Sequence, residues 1–137
     1  MGRFIGLPLQ VKTSDGHNFE LLAPFTYLTD AGVQLVVPIG ALSDGASTPQ
    51  EVWNLIPPFG SYWPAAYMHD YLYRCTQRPK AECDALFDEA MKTLGTNPLE
   101  RLTIYHAVAL AGQEAFDRDR KAQAQLGAPA AAVPPIK

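Results

Sequence analysis

The sequence is short of positive charge, of long apolar runs and of cysteine, and each shortage excludes a class of protein. The 11 Lys and Arg residues are outnumbered by 14 Asp and Glu residues, and no basic cluster offsets the net charge of -3. We therefore expect no binding to nucleic acid. No apolar stretch reaches the roughly 20 residues that cross a bilayer, and the first residues lack the apolar core of a signal peptide. We expect no transmembrane segment, and synthesis in the cytoplasm.

The two cysteines, Cys75 and Cys83, are too few for a disulfide-rich scaffold, and their spacing matches no common zinc pattern. A bridge between them is geometrically possible, but free thiols are expected in a reducing cytoplasm. The 137 residues, 47% of them hydrophobic and 18% charged, suit one globular domain with a core.

The first part of the chain has the pattern of β-structure and the later part that of helices. Turn signals at residues 14–16 and 30–32 separate stretches rich in aromatic and β-branched residues. They predict a small antiparallel sheet of three or four strands, with a hairpin across residues 30–32. About three α-helices should follow, so residues 1–125 are predicted to form a single α+β domain. Residues 126–137 are rich in Ala and Pro and predict an extended tail.

Proline, glycine and asparagine mark the expected ends of the helices. Pro64 and Pro79 stand where the first and second helices should open. Gly95 is placed to end the second helix, and Asn97 to cap the third.

The third helix is expected to run on into a charged, solvated end at residues 117–121. His106 would lie beside its buried face, as a hydrogen-bonded core histidine in preference to a site residue. Four residues at helical spacing are expected to form that face: Leu102, Tyr105, Ala109 and Phe116.

Histidine and acidic residues converge in residues 65–91, on the first two predicted helices. His69 and Tyr73 share a mostly apolar face because they are one helical turn apart. If the two helices pack antiparallel, Asp84 can reach His69. A carboxylate that holds one ring nitrogen leaves the other as a general base. Asp70, rotated away from His69, could then hold a hard cation through its oxygens.

The string H-D-x-x-Y, followed on the next helix by C-D-x-x-F, resembles the active-site core of the secreted phospholipase A-two family. The resemblance implies that His69 activates a water molecule, Asp70 binds calcium and Asp84 orients the histidine. Tyr73 would match the tyrosine of the family's hydrogen-bond network. The family places a glycine-rich calcium loop before its first helix, where this chain has a single glycine in residues 57–62.

Asp44 lies in the connector between the predicted sheet and helices, among turn residues. Local turn hydrogen bonding is the favoured interpretation, because Asp commonly makes such bonds in turns. The alternative places Asp44 near His69 as a metal ligand or an orienting acid. Both interpretations stay open from the sequence.

A second resemblance covers residues 37–112. The strings SDGASTP, WNLIPPFG, AAYMHDYLYR and AECDALFDEAM, in this order, resemble a family of small proteins found mainly in tailed bacteriophages and prophages. This resemblance implies a phage origin, with synthesis in the host cytoplasm and a place in the virion if the protein is structural.

Two functional hypotheses follow, and the sequence leaves open whether the protein is an enzyme. The first is a phage-encoded, metal-assisted hydrolase with a phospholipase-like site, Ca2+ as cofactor and a lipid or another ester as substrate. The second is a non-enzymatic virion or tail component, or an interaction module, in which the His/Asp/Tyr network is structural. In that case the C-terminal tail would contact other phage structural proteins.

Overall fold

A computed structural model describes residues 2–16, 18–43 and 62–125 of the chain. The predicted α+β class is confirmed, with strands first and helices after them. The strands are β1 (Arg3–Ile5), β2 (Val11–Lys12), β3 (Phe19–Leu21), β4 (Phe25–Leu28), β5 (Gln34–Val37) and β6 (Leu42–Ser43). The helices are α1 (Trp63–Cys75), α2 (Lys80–Thr93), α3 (Pro98–Ala111) and α4 (Gln113–Gln125). The predicted tail, residues 126–137, lies outside the described residues.

The described strands form two small antiparallel sheets of three strands each, in the orders β1-β4-β5 and β2-β3-β6. The predicted small antiparallel sheet in the first part of the chain is confirmed. The described strands, each two to four residues long, form two such sheets where one was expected. The predicted hairpin is confirmed as β4 and β5, in register from Phe25 opposite Val37 to Leu28 opposite Gln34. Its alternate residues are buried and form the sheet's contribution to the core.

The helix-end signals agree with the structure. The Asn97 side chain accepts hydrogen bonds from the backbone N–H groups of Leu99 at 2.9 Å and Glu100 at 3.5 Å, and so caps α3. Gly95 follows the C-terminal end of α2 with a φ of +76°. Its N–H donates to Lys92 O, and the next N–H donates to Met91 O, each at 3.0 Å. This pair of bonds is the Schellman motif, which a glycine at this position permits.

The predicted third helix is in fact two helices, because the chain breaks at Gly112. The expected buried face was also wrong. Leu102 is 51% exposed, whereas Ile104 and Val108 are fully buried. His106 is exposed too, so the expected core histidine is not in the core. Both faces of α3 carry apolar residues, and the contacts with neighbouring helices, α2 and α4 among the described elements, decide which face is covered.

The charged segment that was expected to be solvated is part of α4 and binds the end of α1. Arg120 donates to the backbone carbonyls of Tyr73 at 2.9 Å, Leu72 at 3.2 Å and Arg78 at 2.6 Å. Gln123, which is buried, donates to the carbonyl of Arg74 at 2.7 Å. The last carbonyls of a helix have no partner within the helix, so α4 supplies the donors that α1 lacks.

Helix α1 therefore lies in the middle of the described structure, in contact with α2, α4 and β6. From its N-terminal half, Tyr67 donates to the carbonyl of Ala41 at 2.7 Å and so ties the helix to the strands. A second tie joins Tyr27 on β4 to Glu89 and Thr93 on α2 by hydrogen bonds of its hydroxyl. These contacts fix α1 and α2 against the sheets and against each other.

Candidate functional site

His69 lies at the centre of α1 with none of its surface exposed. Its Nε2 is 2.7 Å from Oδ1 of Asp84 on α2. The ring stacks on Phe87 with ring centroids 4.5 Å apart, and it contacts the ring of Tyr73 at 4.2 Å. Tyr73, near the end of α1, bonds Asp84 near the start of α2, whereas the more central His69 also reaches Phe87 further along α2, as in an antiparallel pair of helices. The structure thus brings the predicted histidine and its predicted orienting acid together.

Asp84 is 2% exposed and receives hydrogen bonds on both carboxylate oxygens. Tyr73 donates its hydroxyl to Oδ1 at 2.6 Å, and Lys80 donates its ammonium to Oδ2 at 2.7 Å. Burial alone raises the pKa of a carboxyl group, but the hydrogen bonds from His69, Lys80 and Tyr73 outweigh burial here. The pKa of Asp84 therefore lies below its ordinary value of 3.8, and the group is ionised at neutral pH.

Tyr73 is fully buried and serves as a hydrogen-bond donor to Asp84. Burial, together with the bond to the carboxylate, raises its pKa far above the ordinary value, so the hydroxyl keeps its proton. Gly112 lies close to this hydroxyl, since a Cβ atom at that position would be 3.5 Å from it. The tyrosine can therefore orient Asp84 but cannot act as a base at neutral pH.

Lys80 was not singled out from the sequence, although its position predicts its contact. It stands four residues before Asp84, and residues at this spacing are neighbours on a helix. Besides Asp84, its ammonium binds the carbonyl oxygens of Val108 at 3.0 Å and Ala109 at 3.3 Å. The carboxylate that holds the histidine is thus joined to a third helix.

Asp70, the predicted calcium ligand, is buried and accepts a hydrogen bond from the Ser43 hydroxyl of β6. Calcium takes about six to eight oxygen ligands. In the described ranges, no three His, Cys, Asp or Glu side chains come together to hold a metal ion. Asp70 with Ser43 does not make a calcium site on its own, and Asp44 lies outside the described residues. Among the described residues, the Asp70 carboxylate and the Ser43 hydroxyl therefore do not by themselves provide the ligands that calcium requires.

The two cysteines lie at either side of the connection between α1 and α2. Both are buried with free thiols. Burial raises the pKa of Cys75 to about 11 and that of Cys83 to about 12. Thiols with such values are protonated at neutral pH and are poor nucleophiles.

A cleft of about 740 Å3 lies between β5 and the connection from α1 to α2. Leu35, Leu72 and Cys75 contribute to its wall, and Gln77, Arg78 and Glu82 contribute polar groups. His69, Tyr73 and Asp84 are not among its lining residues. The cleft therefore borders the helical pair without reaching the buried histidine.

Fold and site together define a small α+β protein with a buried His–Asp–Tyr constellation between two paired helices. The chain belongs to the family described as "Protein of unknown function (DUF1353)", whose model matches residues 19–108. A relative in Sinorhizobium fredii, named "Uncharacterized protein y4jT", is 34% identical over 98 residues. The match covers 70% of this chain but 29% of the relative, so the chain spans under a third of that protein's length.

No solved structure matches the chain. None of the helices in the described ranges is long and apolar enough to cross a membrane. The matched region, residues 19–108, contains His69, Asp70, Tyr73 and Asp84 together with Lys80. The site therefore lies within the part of the chain that defines the family.

Proposed function

We propose that the protein is an ester hydrolase, with a lipid ester as the substrate class. His69 is the general base, Asp84 orients it, and Tyr73 holds Asp84. One observation carries the proposal, which is the 2.7 Å contact of Nε2 of His69 with a carboxylate that two further donors hold in place. Fixed pairs of this kind are a recurring means of activating water or a hydroxyl group.

The ring nitrogen that Asp84 binds determines which nitrogen of His69 acts as the base. Ionised Asp84 accepts the Nε2 proton of His69, so Nδ1 is the basic nitrogen. In the proposed reaction, Nδ1 takes a proton from water as the water oxygen attacks the ester carbonyl. The C–O bond to the alcohol then breaks, and the proton returns to the leaving alkoxide. The products are a carboxylic acid and an alcohol, and Asp84 stabilises the imidazolium in between.

The phage origin and its consequences belong to the same proposal and rest on the sequence motifs. A phage-encoded hydrolase would be made in the host cytoplasm, and a lipid substrate would be met at the host membrane. Calcium as a cofactor rests on the resemblance around Asp70 alone, so its requirement is an outcome of the test below.

The direct test is release of fatty acid from phospholipid vesicles by the purified full chain, in buffer with calcium and in buffer with a chelator. We expect release by wild type and loss of at least about a hundredfold in His69→Gln, because removal of a general base costs about 10²- to 10⁴-fold. His106→Gln is the matched control, since that histidine is exposed on α3. Release that persists in His69→Gln, or none from wild type in either buffer, would overturn the proposal.

A second candidate function is favoured by the burial of the site. His69 and Tyr73 have no exposed surface, and a satisfied buried network can specify a helical pair without catalysis. The protein would then be a virion or tail component, or an interaction module that binds other phage proteins. Mass spectrometry of purified particles tests this candidate. It fails if the protein is absent from particles and binds no other phage protein in a co-purification from infected cells.

A further inference from the structure

We infer that Lys80 is a positioning residue of this site, which holds the Asp84 carboxylate against His69 and ties it to the C-terminal end of α3. The significance for catalysis rests on the proposed function, whereas the positioning itself does not. Nothing in the resemblance to phospholipases assigns a role to this lysine.

The ammonium of Lys80 makes three contacts, one for each of its N–H groups. They are Oδ2 of Asp84 at 2.7 Å, the carbonyl of Val108 at 3.0 Å and the carbonyl of Ala109 at 3.3 Å. The side chain is 12% exposed, so the lysine is largely withdrawn from water. A long flexible side chain with every donor engaged is held in one geometry and can orient its partners.

The position of Lys80 in its own helix is unfavourable, which calls for another source of stabilisation. Lys80 is the first residue of α2, where the positive end of the helix dipole opposes a cation. The two carbonyls that it binds belong to the last turn of α3, where the dipole is negative, and the Val108 carbonyl also accepts from the backbone N–H of Gly112 at 2.9 Å. Lys80 thus acts as a cap for α3 that is supplied from α2.

The carboxylate of Asp84 is fixed because its two oxygens have different partners. Oδ1 meets His69 and Tyr73, and Oδ2 meets Lys80. The last torsion of an aspartate is soft, so bonds on one oxygen alone leave the group able to rotate. The lysine removes that freedom and keeps Oδ1 directed at Nε2 of His69.

The experiment compares Lys80→Met and Lys80→Arg with wild type and with Arg78→Met. Arg78 lies two residues before α2 and forms an ion pair with Glu82 at the same spacing of four residues, with both side chains more exposed, and so is a matched control. In the vesicle assay we expect kcat to fall by about ten- to a hundredfold in Lys80→Met with little change in KM, since a small misplacement of a catalytic group costs this much. Lys80→Arg should recover part of the rate, because it keeps a charged donor.

A second readout needs no activity. The Nε2 proton of His69 is followed by NMR at neutral pH in all four proteins, with circular dichroism as the check on folding. We expect a protected resonance in wild type and in Arg78→Met, and its broadening or loss in Lys80→Met. Should Lys80→Met not fold, Lys80→Gln provides the same comparison with a shorter, neutral donor.

The two readouts separate the two proposals. If none of the proteins hydrolyses the vesicles but the His69 resonance changes in Lys80→Met, the positioning role is supported and the hydrolase is ruled out. An active wild type, with both the rate and the resonance unchanged in folded Lys80→Met, removes the positioning role and leaves the hydrolase intact.

Discussion

Replacement of Asp84 by alanine should destabilise the fold much more than replacement of the partly exposed Asp88 on the same helix. The substitution removes the acceptor of three donors, on His69, Tyr73 and Lys80. A buried donor left without a partner costs about 1–3 kcal/mol. Lys80 keeps two carbonyl partners, so its share is small. The donors of His69 and Tyr73 lose their acceptor, so we expect a loss of about 3 kcal/mol in the free energy of unfolding, which lies in the lower half of the summed cost of two such donors.

The measurement is urea unfolding at pH 7, followed by circular dichroism, with Asp88→Ala as the matched control. Asp88 lies one turn after Asp84 on α2 and pairs with Arg101 at 2.7 Å, but its side chain is 33% exposed. Its loss should cost no more than about 1 kcal/mol, as for other surface ion pairs. If Asp84→Ala costs no more than Asp88→Ala, the buried network does not stabilise the helical pair.

A double-mutant cycle tests the reason for the loss. Tyr73→Phe alone should cost about 1 kcal/mol, the usual net value of one hydrogen bond. In Tyr73→Phe combined with Asp84→Ala the stranded hydroxyl is gone, so the double variant should be about 1–2 kcal/mol more stable than the sum of the single losses predicts. Additive losses would refute the argument that Asp84→Ala acts by stranding Tyr73.

Three further predictions follow from contacts around the site. The pKa of Asp84 is lowered on folding, so its stabilising contribution should be full above the ordinary aspartate pKa of 3.8 and be lost as the pH falls through the folded-state pKa. The free energies of unfolding of wild type and Asp84→Asn, measured from pH 7 to pH 2, should therefore converge in acid. A constant difference between them would contradict this. Gly112→Ala should lower stability by about 1–3 kcal/mol, since its Cβ would be 2.5 Å from the carbonyl oxygen of Val108. Thermal unfolding measures this loss, with a substitution at the exposed Gln113, Gln113→Ala, as the control, and equal midpoints would rule out the clash. Arg120→Met strands the Tyr73 carbonyl of α1, whereas the Leu72 carbonyl keeps the Thr76 hydroxyl as a donor. The loss should be about 1–3 kcal/mol in urea, against little for the more exposed Arg118→Met, and equal costs would argue against the cap.

The pairing of His69 with Asp84 could be predicted because it depends on local periodicity. Helical spacing placed His69 and Tyr73 on one face. The short connection between the two helices favours antiparallel packing, which brings Asp84 to His69. The signals for helix ends at Gly95 and Asn97 were equally local. Each depends on residues within one or two turns, which the sequence displays directly.

The contacts that could not be predicted join residues far apart in the chain. Ser43 meets Asp70 across 27 residues, and β3 pairs with β6 although other strands lie between them in sequence. The buried face of α3 was misjudged because apolar residues occur on both faces, with Leu102 exposed and Ile104 buried. Periodicity alone cannot choose between two apolar faces, since the choice depends on which neighbour covers which side.

The capping of α1 by α4 has a consequence for the order in which the chain assembles. The contact between His69 and Asp84 spans 15 residues, so it can form as a local helical hairpin with little loss of chain entropy. The bond from Arg120 to the carbonyl of Leu72 spans 48 residues and has to wait for nearly all of the described chain to leave the ribosome. During synthesis, His69 and Asp84 can therefore meet before α4 binds the end of α1, and α4 is the last of the described elements to pack.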